Sequence, residues 1–277
     1  MSSYQYPPVA PDRGEFAPLI HRTVVRLTIP IQGQNFAKTV HHDTYPAIDS
    51  AKADLSGKIV YITGASKGLG RAAAISFAKA GAEGIALAAR SDLSSLEAEV
   101  TSAAEANGKK APRILRLELD VTDQSSVDNA SKEIEKTFGR LDILINNAGF
   151  LSEFVSIAES DPVAWWMNWE VNIKGVYLVT RSLLPLMVKG GEKTIVNLTS
   201  IGGLNLTPGA SGYQPSKNAL LRFTEFICAD YAKDGIVAYA LHPGGVKSDM
   251  GLKMPPAYHS GNYCSLWLVF PADYWKF

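Results

Sequence analysis

"KIVYITGASKGLGRAAAISFAKAG", residues 58–81, is a short apolar run that breaks at Gly64, Gly68 and Gly70 and continues into an alanine-rich segment of helix length. The run is apolar at consecutive positions rather than alternate ones, and so are "GIALAA" (84–89) and "DILIN" (142–146). A strand reads this way when helices cover both of its faces. The pattern therefore predicts an α/β fold built on a doubly wound parallel sheet.

Outward from this stretch, apolar runs near 58–63, 84–89, 114–119, 141–146, 194–199 and 236–241 alternate with periodic segments of helix length, which is βαβ order. In such sheets ligands bind beyond the carboxyl ends of the strands, so chemistry is expected just after each run. Residues 1–54 carry Pro7, Pro8, Pro11, Pro18, Pro30 and Pro46 with little periodicity and read as an N-terminal extension. The fold proper is expected over 55–250, with an atypical tail over 251–277.

The 277 residues, 46% hydrophobic and 19% charged, suffice for one large core. Lys plus Arg and Asp plus Glu both total 27, so no net field draws nucleic acid or a membrane surface, and small neutral partners are expected. Two cysteines, Cys228 and Cys264, are too few for a disulfide framework and lack metal-ligand spacing, so no metal site is expected. With no signal-like apolar stretch at the start and no long apolar run, the sequence reads as cytoplasmic.

The glycine turn between a buried strand and a helix suits a dinucleotide. Its backbone can approach a pyrophosphate, and free N–H groups over Gly68, Leu69 and Gly70 attract negative charge. The alternative is a βα turn without a ligand. After the second strand an acid would grip the ribose of NAD, but this chain has Ala89 and Arg90 there. Arg90 with Lys67 offers positive charge for a 2′-phosphate, which favours NADP over NAD; Asp92, slightly farther along, is the counter-argument. Asp120 suits a contact to adenine or simply caps a turn, with Thr122 or Asp123 the better helix cap. Asn146, Asn147 and Gly149 in "INNAG" predict a polar turn beside the cofactor, stitched by amides.

Farther on, "SGYQPSKNAL" (211–220) places Tyr213 four residues before Lys217. On a helix they share a face, and Pro215 is tolerated in the first turn. A free tyrosine titrates near 10. A cation about 5 Å away, at an effective dielectric near 20, lowers the cost of ionising it by roughly 3 kcal/mol, so Lys217 is expected to draw Tyr213 toward acid/base work at neutral pH. Ser200, at the end of "TIVNLTS", is placed to hold a carbonyl oxygen beside the phenol. Taken alone, the Tyr and Lys pair would be an ordinary surface pair.

Together "TGASKGLG", "NNAG", Asn172 in "EVNIKG", Ser200, "YQPSK" and "HPGGVKS" resemble the short-chain dehydrogenase/reductase family over about residues 55–250. The resemblance implies a Rossmann fold and hydride exchange between a nicotinamide and a carbonyl or alcohol carbon. It makes Tyr213 the acid/base, Lys217 the residue that tunes it and binds the nicotinamide ribose, Ser200 the substrate anchor, and Asn172 the anchor of a relay water. It also implies contacts from Pro243, Gly244, Val246 and Ser248 to the nicotinamide end. Homo-oligomers are implied through the helix of Asn172 to Val188 and the one after Tyr213.

Family members continue through a substrate lid and another helix to a seventh strand, whereas here 27 residues follow Met250, with "LWLVF" the one strand-like piece. Either a diverged tail closes the pocket or the terminus is abnormal and leaves an edge strand exposed. The leading expectation is an NADP-dependent carbonyl reductase or alcohol dehydrogenase. The alternatives are a non-catalytic nucleotide-binding scaffold and an isomerase or epimerase that recycles its cofactor, whose usual glycine spacing differs by one residue. Trp165, Trp166, Phe150 and Phe154 either line an apolar pocket, fit for a secondary metabolite or a xenobiotic ketone, or pack the core.

Overall fold

The computed structural model describes residues 45–254 other than Lys247. Strands β1 (Ile59–Thr63), β2 (Gly84–Ala89), β3 (Arg113–Glu118), β4 (Ile143–Asn146), β5 (Thr194–Leu198) and β6 (Val237–Leu241) form one sheet in the order 3-2-1-4-5-6, every neighbouring pair parallel. The helices are α1 (Gly68–Lys79), α2 (Ser94–Ala106), α3 (Gln124–Phe138), α4 (Pro162–Trp169), α5 (Val176–Val188) and α6 (Tyr213–Tyr231). The extension before residue 45 and the tail beyond 254, with "LWLVF", lie outside the described residues. Residues 45–54 form two short 3₁₀ turns, and Ser50 and Ala53 are buried.

Consecutive residues of β1 serve opposite faces, as the twofold repeat of a strand requires. Ile59 and Tyr61 join Leu144, Ile195, Ile134, Leu183 and Met187 in one core, while Val60 and Ile62 join Phe77, Leu87, Leu96 and Val100 in the other. Each such side chain, fully buried, contributes about 1.5–3 kcal/mol, so the unbroken apolar runs are what the two-sided burial requires. The edges differ. β3 turns Arg113, Arg116 and Glu118 to solvent, and β6 leaves Val237 and Tyr239 exposed.

Helix ends explain the segment boundaries. Asp123 caps α3 by accepting from the N–H groups of Ser125 and Ser126 at 3.1 and 3.3 Å, and Gly139 closes the helix at φ +74°. Asp161 caps α4 in the same way, with Pro162 at its first position. Helix α4, a π-helical turn over Glu170–Gly175 and α5 run on as one helical stretch over 162–188. The stretch is long and apolar enough to cross a membrane by composition, yet Val179, Leu183 and Met187 belong to the core beside Leu144 and Ile195.

The sheet order sends the chain outward from β1 in one direction to β2 and β3, and in the other from β4 to β5 and β6. This opens a crevice beyond the carboxyl ends of β1 and β4, where α/β sheets bind ligands.

Candidate active site

The glycine turn sits at that crevice. Gly64 has φ +65°, and a Cβ there would lie 2.9 Å from the Ala148 Cα. At Gly70 a Cβ would lie 2.4 Å from the Gly64 carbonyl oxygen and 2.5 Å from Asn147 Nδ2, so only glycine lets α1 start against the turn. Unlike α3 and α4, α1 has no side chain on its first N–H groups, because its N-cap is Lys67. Above Gly68 a Cβ would meet only Ser248 Cβ, at 3.8 Å. Uncapped amides under a smooth glycine face are what a dinucleotide pyrophosphate requires, so Gly64, Gly68, Leu69 and Gly70 fit the group expected there.

Asn147 fastens this turn to β4. Its Nδ2 donates to the carbonyls of Thr63 and Gly64 at 2.8 and 3.0 Å, while Thr63 Oγ1 accepts from the N–H groups of Asn147 and Ala148. Asn146 reaches across the sheet instead, donating to Thr180 Oγ1 and to Asn197 Oδ1 at 3.0 and 2.8 Å. Asp120, just past β3, accepts from the Thr122 N–H and hydroxyl at 2.9 and 2.7 Å. The Thr122 N–H bond is the largest cause holding its carboxyl below the usual range, with Arg90 a smaller one. Arg90 is exposed on the rim of a cavity of about 670 Å³ that also includes Ser91, Asp92 and Arg116. Asp92 is turned to the start of α2, where Ser94 donates to it. Lys67 pairs with Asp249 at 2.7 Å rather than standing free beside Arg90.

At the end of β5, Ser200 Oγ accepts from the Gly202 N–H at 3.0 Å, which leaves its own hydrogen to donate. The Tyr213 phenol is near enough for this hydroxyl to favour its ionised form. Lys217 is buried, lies with Nζ 5.8 Å from the centroid of the Tyr213 ring, and donates to the Leu198 carbonyl at 2.6 Å. Burial pushes the Tyr213 phenol up from its ordinary value, opposed in part by the nearby Ser200 hydroxyl, and brings Lys217 down to about 8. The direction is opposite to the expectation that Lys217 draws the phenol down, because desolvation is the first cause acting on both groups.

Asn172 lies in the π-helical turn, a form that often marks functional positions, and is wholly buried. Its Oδ1 accepts from the Phe150 N–H at 2.9 Å, and its Nδ2 donates to the Phe150 carbonyl and to Ser216 Oγ, both at 3.0 Å. Ser216 in turn donates to the Tyr213 carbonyl at 2.7 Å. The segment after β6 closes the other side: Ser248 stands over Gly68, with Val246 close by it in sequence, and Lys253 Nζ sits 5.7 Å from the Phe150 ring centroid. Trp165 and Trp169 stack at 6.1 Å, whereas Trp166 is exposed on the outer face.

A family model described as short chain dehydrogenase matches residues 58–258. The chain belongs to this family. It is 50% identical over 226 residues to the short chain dehydrogenase mpl6 of Monascus purpureus, covering 82% of this chain and 77% of that one. It is 49% identical over 212 residues to the short chain dehydrogenase pigC of Monascus ruber, covering 76% and 70%. Among solved structures, a 3-ketoacyl-(acyl-carrier-protein) reductase from Brucella melitensis complexed with NADH matches with a TM-score of 0.66 at 27% identity, over 74% of this chain and 82% of the other. An alcohol dehydrogenase from Thermococcus sibiricus complexed with 5-hydroxy-NADP matches with a TM-score of 0.62 at 28% identity, over 72% and 80%.

Sequence reasoning missed three supporting groups: Thr63, the Leu198 carbonyl and Ser216. A polar residue ending an otherwise apolar strand was the available signal for Thr63. A backbone carbonyl that receives a lysine has no signal in the sequence.

Proposed function

We propose that this oxidoreductase is a carbonyl reductase or alcohol dehydrogenase that uses NADP(H) in preference to NAD(H), with Tyr213 as its proton donor and acceptor. The grouping of Ser200, at the end of β5, with Tyr213 and with Lys217, whose Nζ lies 5.8 Å from the Tyr213 ring and bonds the Leu198 carbonyl of the same strand, is the observation that carries this reading. A phenol kept protonated by burial is ready to act as an acid. In the reduction direction Ser200 and Tyr213 hold the carbonyl oxygen between their hydroxyls, which places its carbon in a fixed orientation. A bound nicotinamide supplies the hydride to that carbon. Tyr213 transfers the proton of its hydroxyl to the oxygen, giving the alcohol, and Lys217 faces the phenolate left behind.

Arg90 supports the NADP preference. It is the exposed cation at the end of β2, while the nearby acids Asp92 and Asp120 accept from Ser94 and from Thr122. A homo-oligomer through α5 and α6 is supported by Tyr177, Val188 and Phe226, large apolar side chains left exposed there.

The test is turnover by the purified protein across a panel of ketones and aldehydes, followed by nicotinamide absorbance with NADPH and then with NADH. Tight NADPH binding without oxidation by any member of the panel would turn the reading to a non-catalytic nucleotide-binding protein.

A further inference from the structure

Position 214, next to Tyr213, holds a glutamine that no part of the chemistry above uses. A helix advances about 100° per residue, so Gln214 leaves α6 on a different side from Tyr213 and Lys217. It makes two hydrogen bonds to one residue of the loop between β5 and α6. Oε1 accepts from the Thr207 N–H at 2.8 Å, and Nε2 donates to Thr207 Oγ1 at 2.9 Å. The backbone N–H can only donate, which fixes which end of the amide is the oxygen.

The loop is tied down elsewhere too. Asn218 Nδ2 donates to the Gly203 carbonyl at 2.8 Å, and Trp165 Nε1 donates to Ser211 Oγ at 3.1 Å. Between those two ties, Gln214 is the side chain that holds residue 207. Two residues on, Gly209 adopts φ +87° and comes so close to the opposite wall that a Cβ would lie 2.9 Å from the Phe154 carbonyl carbon and 3.0 Å from the Val155 nitrogen. A mostly apolar cavity of about 500 Å³ opens here, bordered by Val155, Ile157, Leu206, Thr207 and Gln214.

The geometry points to Gln214 as a positioning residue that holds residues 204–209, one wall of this cavity and part of the loop between Ser200 and Tyr213, in place and so sets which substrates fit. This deepens the reductase reading and rests on it. One turn of α6 thus carries Tyr213 and, through Thr207 and Gly209, the contact that joins the two walls of this cavity. A slackened tie lets the wall drift away from substrate, while the phenol, the lysine and the glycine turn keep their own partners.

The experiment compares Gln214→Met, which keeps the bulk and loses both bonds, with Gln214→Glu, which keeps an acceptor for the Thr207 N–H and can also accept from its hydroxyl. Amide hydrogen exchange at Thr207 is expected to accelerate in Gln214→Met and to return toward the parent rate in Gln214→Glu. With the best ketone of the panel, Gln214→Met is expected to raise KM about three- to tenfold, as loss of a net hydrogen bond would. It should change kcat less than about twofold and leave NADPH affinity as it was, with Gln214→Glu recovering most of the KM. Unchanged exchange at Thr207 overturns the inference, and so does faster exchange with an unchanged KM and an unchanged order of preferred ketones. A parent protein that oxidises NADPH with no ketone sinks the reductase reading and the substrate role of Gln214 with it. An active parent with an indifferent Gln214→Met sinks the positioning role alone.

Discussion

Lys217 Nζ stands 5.8 Å from the centroid of the Tyr213 ring, but its hydrogen bond goes to the Leu198 carbonyl on β5, at 2.6 Å. The lysine thus fastens the first turn of α6 to the end of the strand that delivers Ser200. Lys217 is a structural joint beside the proposed proton donor, and the two roles give separable consequences.

The proton-transfer role is tested by Tyr213→Phe. Removing one hydroxyl leaves the ring, the helix and the glycine turn in place. Turnover is expected to fall by a factor on the order of 10² to 10⁴, the usual worth of a positioned acid/base. NADPH affinity, read by fluorescence titration, should change little. A variant that retains half the parent activity would remove Tyr213 from the mechanism.

The joint has a pH signature. Lys217 titrates near 8 in the folded chain against an ordinary value of 10.5. A cation with a lowered folded value opposes folding below about pH 8, where it must be buried charged. Between pH 8 and 10.5 the unfolded chain binds more protons, so this opposition fades as pH rises. Urea midpoints of the parent minus those of Lys217→Met should therefore increase from pH 7.5 to 9.5, the region between those two titrations. Taking the difference cancels the tyrosines, whose ionisation in the unfolded chain acts the other way at the alkaline end. A flat difference would show that Lys217 is not held charged and buried at pH 7.

How much of this was legible beforehand follows from where the information lies. The strands of the central sheet could be read because two-sided burial forces unbroken apolar runs such as "IVYIT". Tyr213, Lys217 and Ser200 could be read because their order and spacing are fixed by one helix turn and one strand end. The direction of the tyrosine's shift could not, because it depends on how deeply the phenol is buried, and spacing carries no information about depth. The tie from Gln214 to Thr207 was equally hidden: a glutamine in a first helical turn looks like any solvated residue until the loop folds back on it. Lys67 was legible as a cation near the phosphates, but its partner Asp249 lies 182 residues away in sequence.

At the glycine turn, Gly70→Ala and Gly68→Ala separate crowding from backbone strain. At Gly70 the new methyl meets backbone at 2.4 Å and should destabilise by about 1–3 kcal/mol. At Gly68 there is room, but φ +57° strains a side chain by roughly 1–2 kcal/mol. The methyl there also projects onto the face offered to the pyrophosphate. Gly70→Ala is therefore expected to lose more stability in urea, and Gly68→Ala to lose proportionately more NADPH affinity. Equal losses of affinity at equal stability would argue against a phosphate on that face.

The proposed preference for NADP rests on Arg90. Its guanidinium lies close enough to Asp120 to help hold that carboxyl low, and the Asp92 carboxylate accepts from the Ser94 N–H at the start of α2. A charge-assisted contact to a 2′-phosphate is strong, and its loss is expected to raise the KM for NADPH on the order of tenfold in Arg90→Ala. NADH, which lacks that phosphate, should be affected less than about twofold, so the ratio of kcat/KM for the two cofactors narrows by nearly the whole loss. Lys67→Ala separates the second cation. Its ammonium already has Asp249 at 2.7 Å, an exposed pair worth at most about 1 kcal/mol. Breaking that pair should move the two cofactors together rather than apart. If Arg90→Ala weakens NADPH and NADH equally, the arginine serves the adenosine end in general, and the preference for the phosphorylated cofactor has to be abandoned.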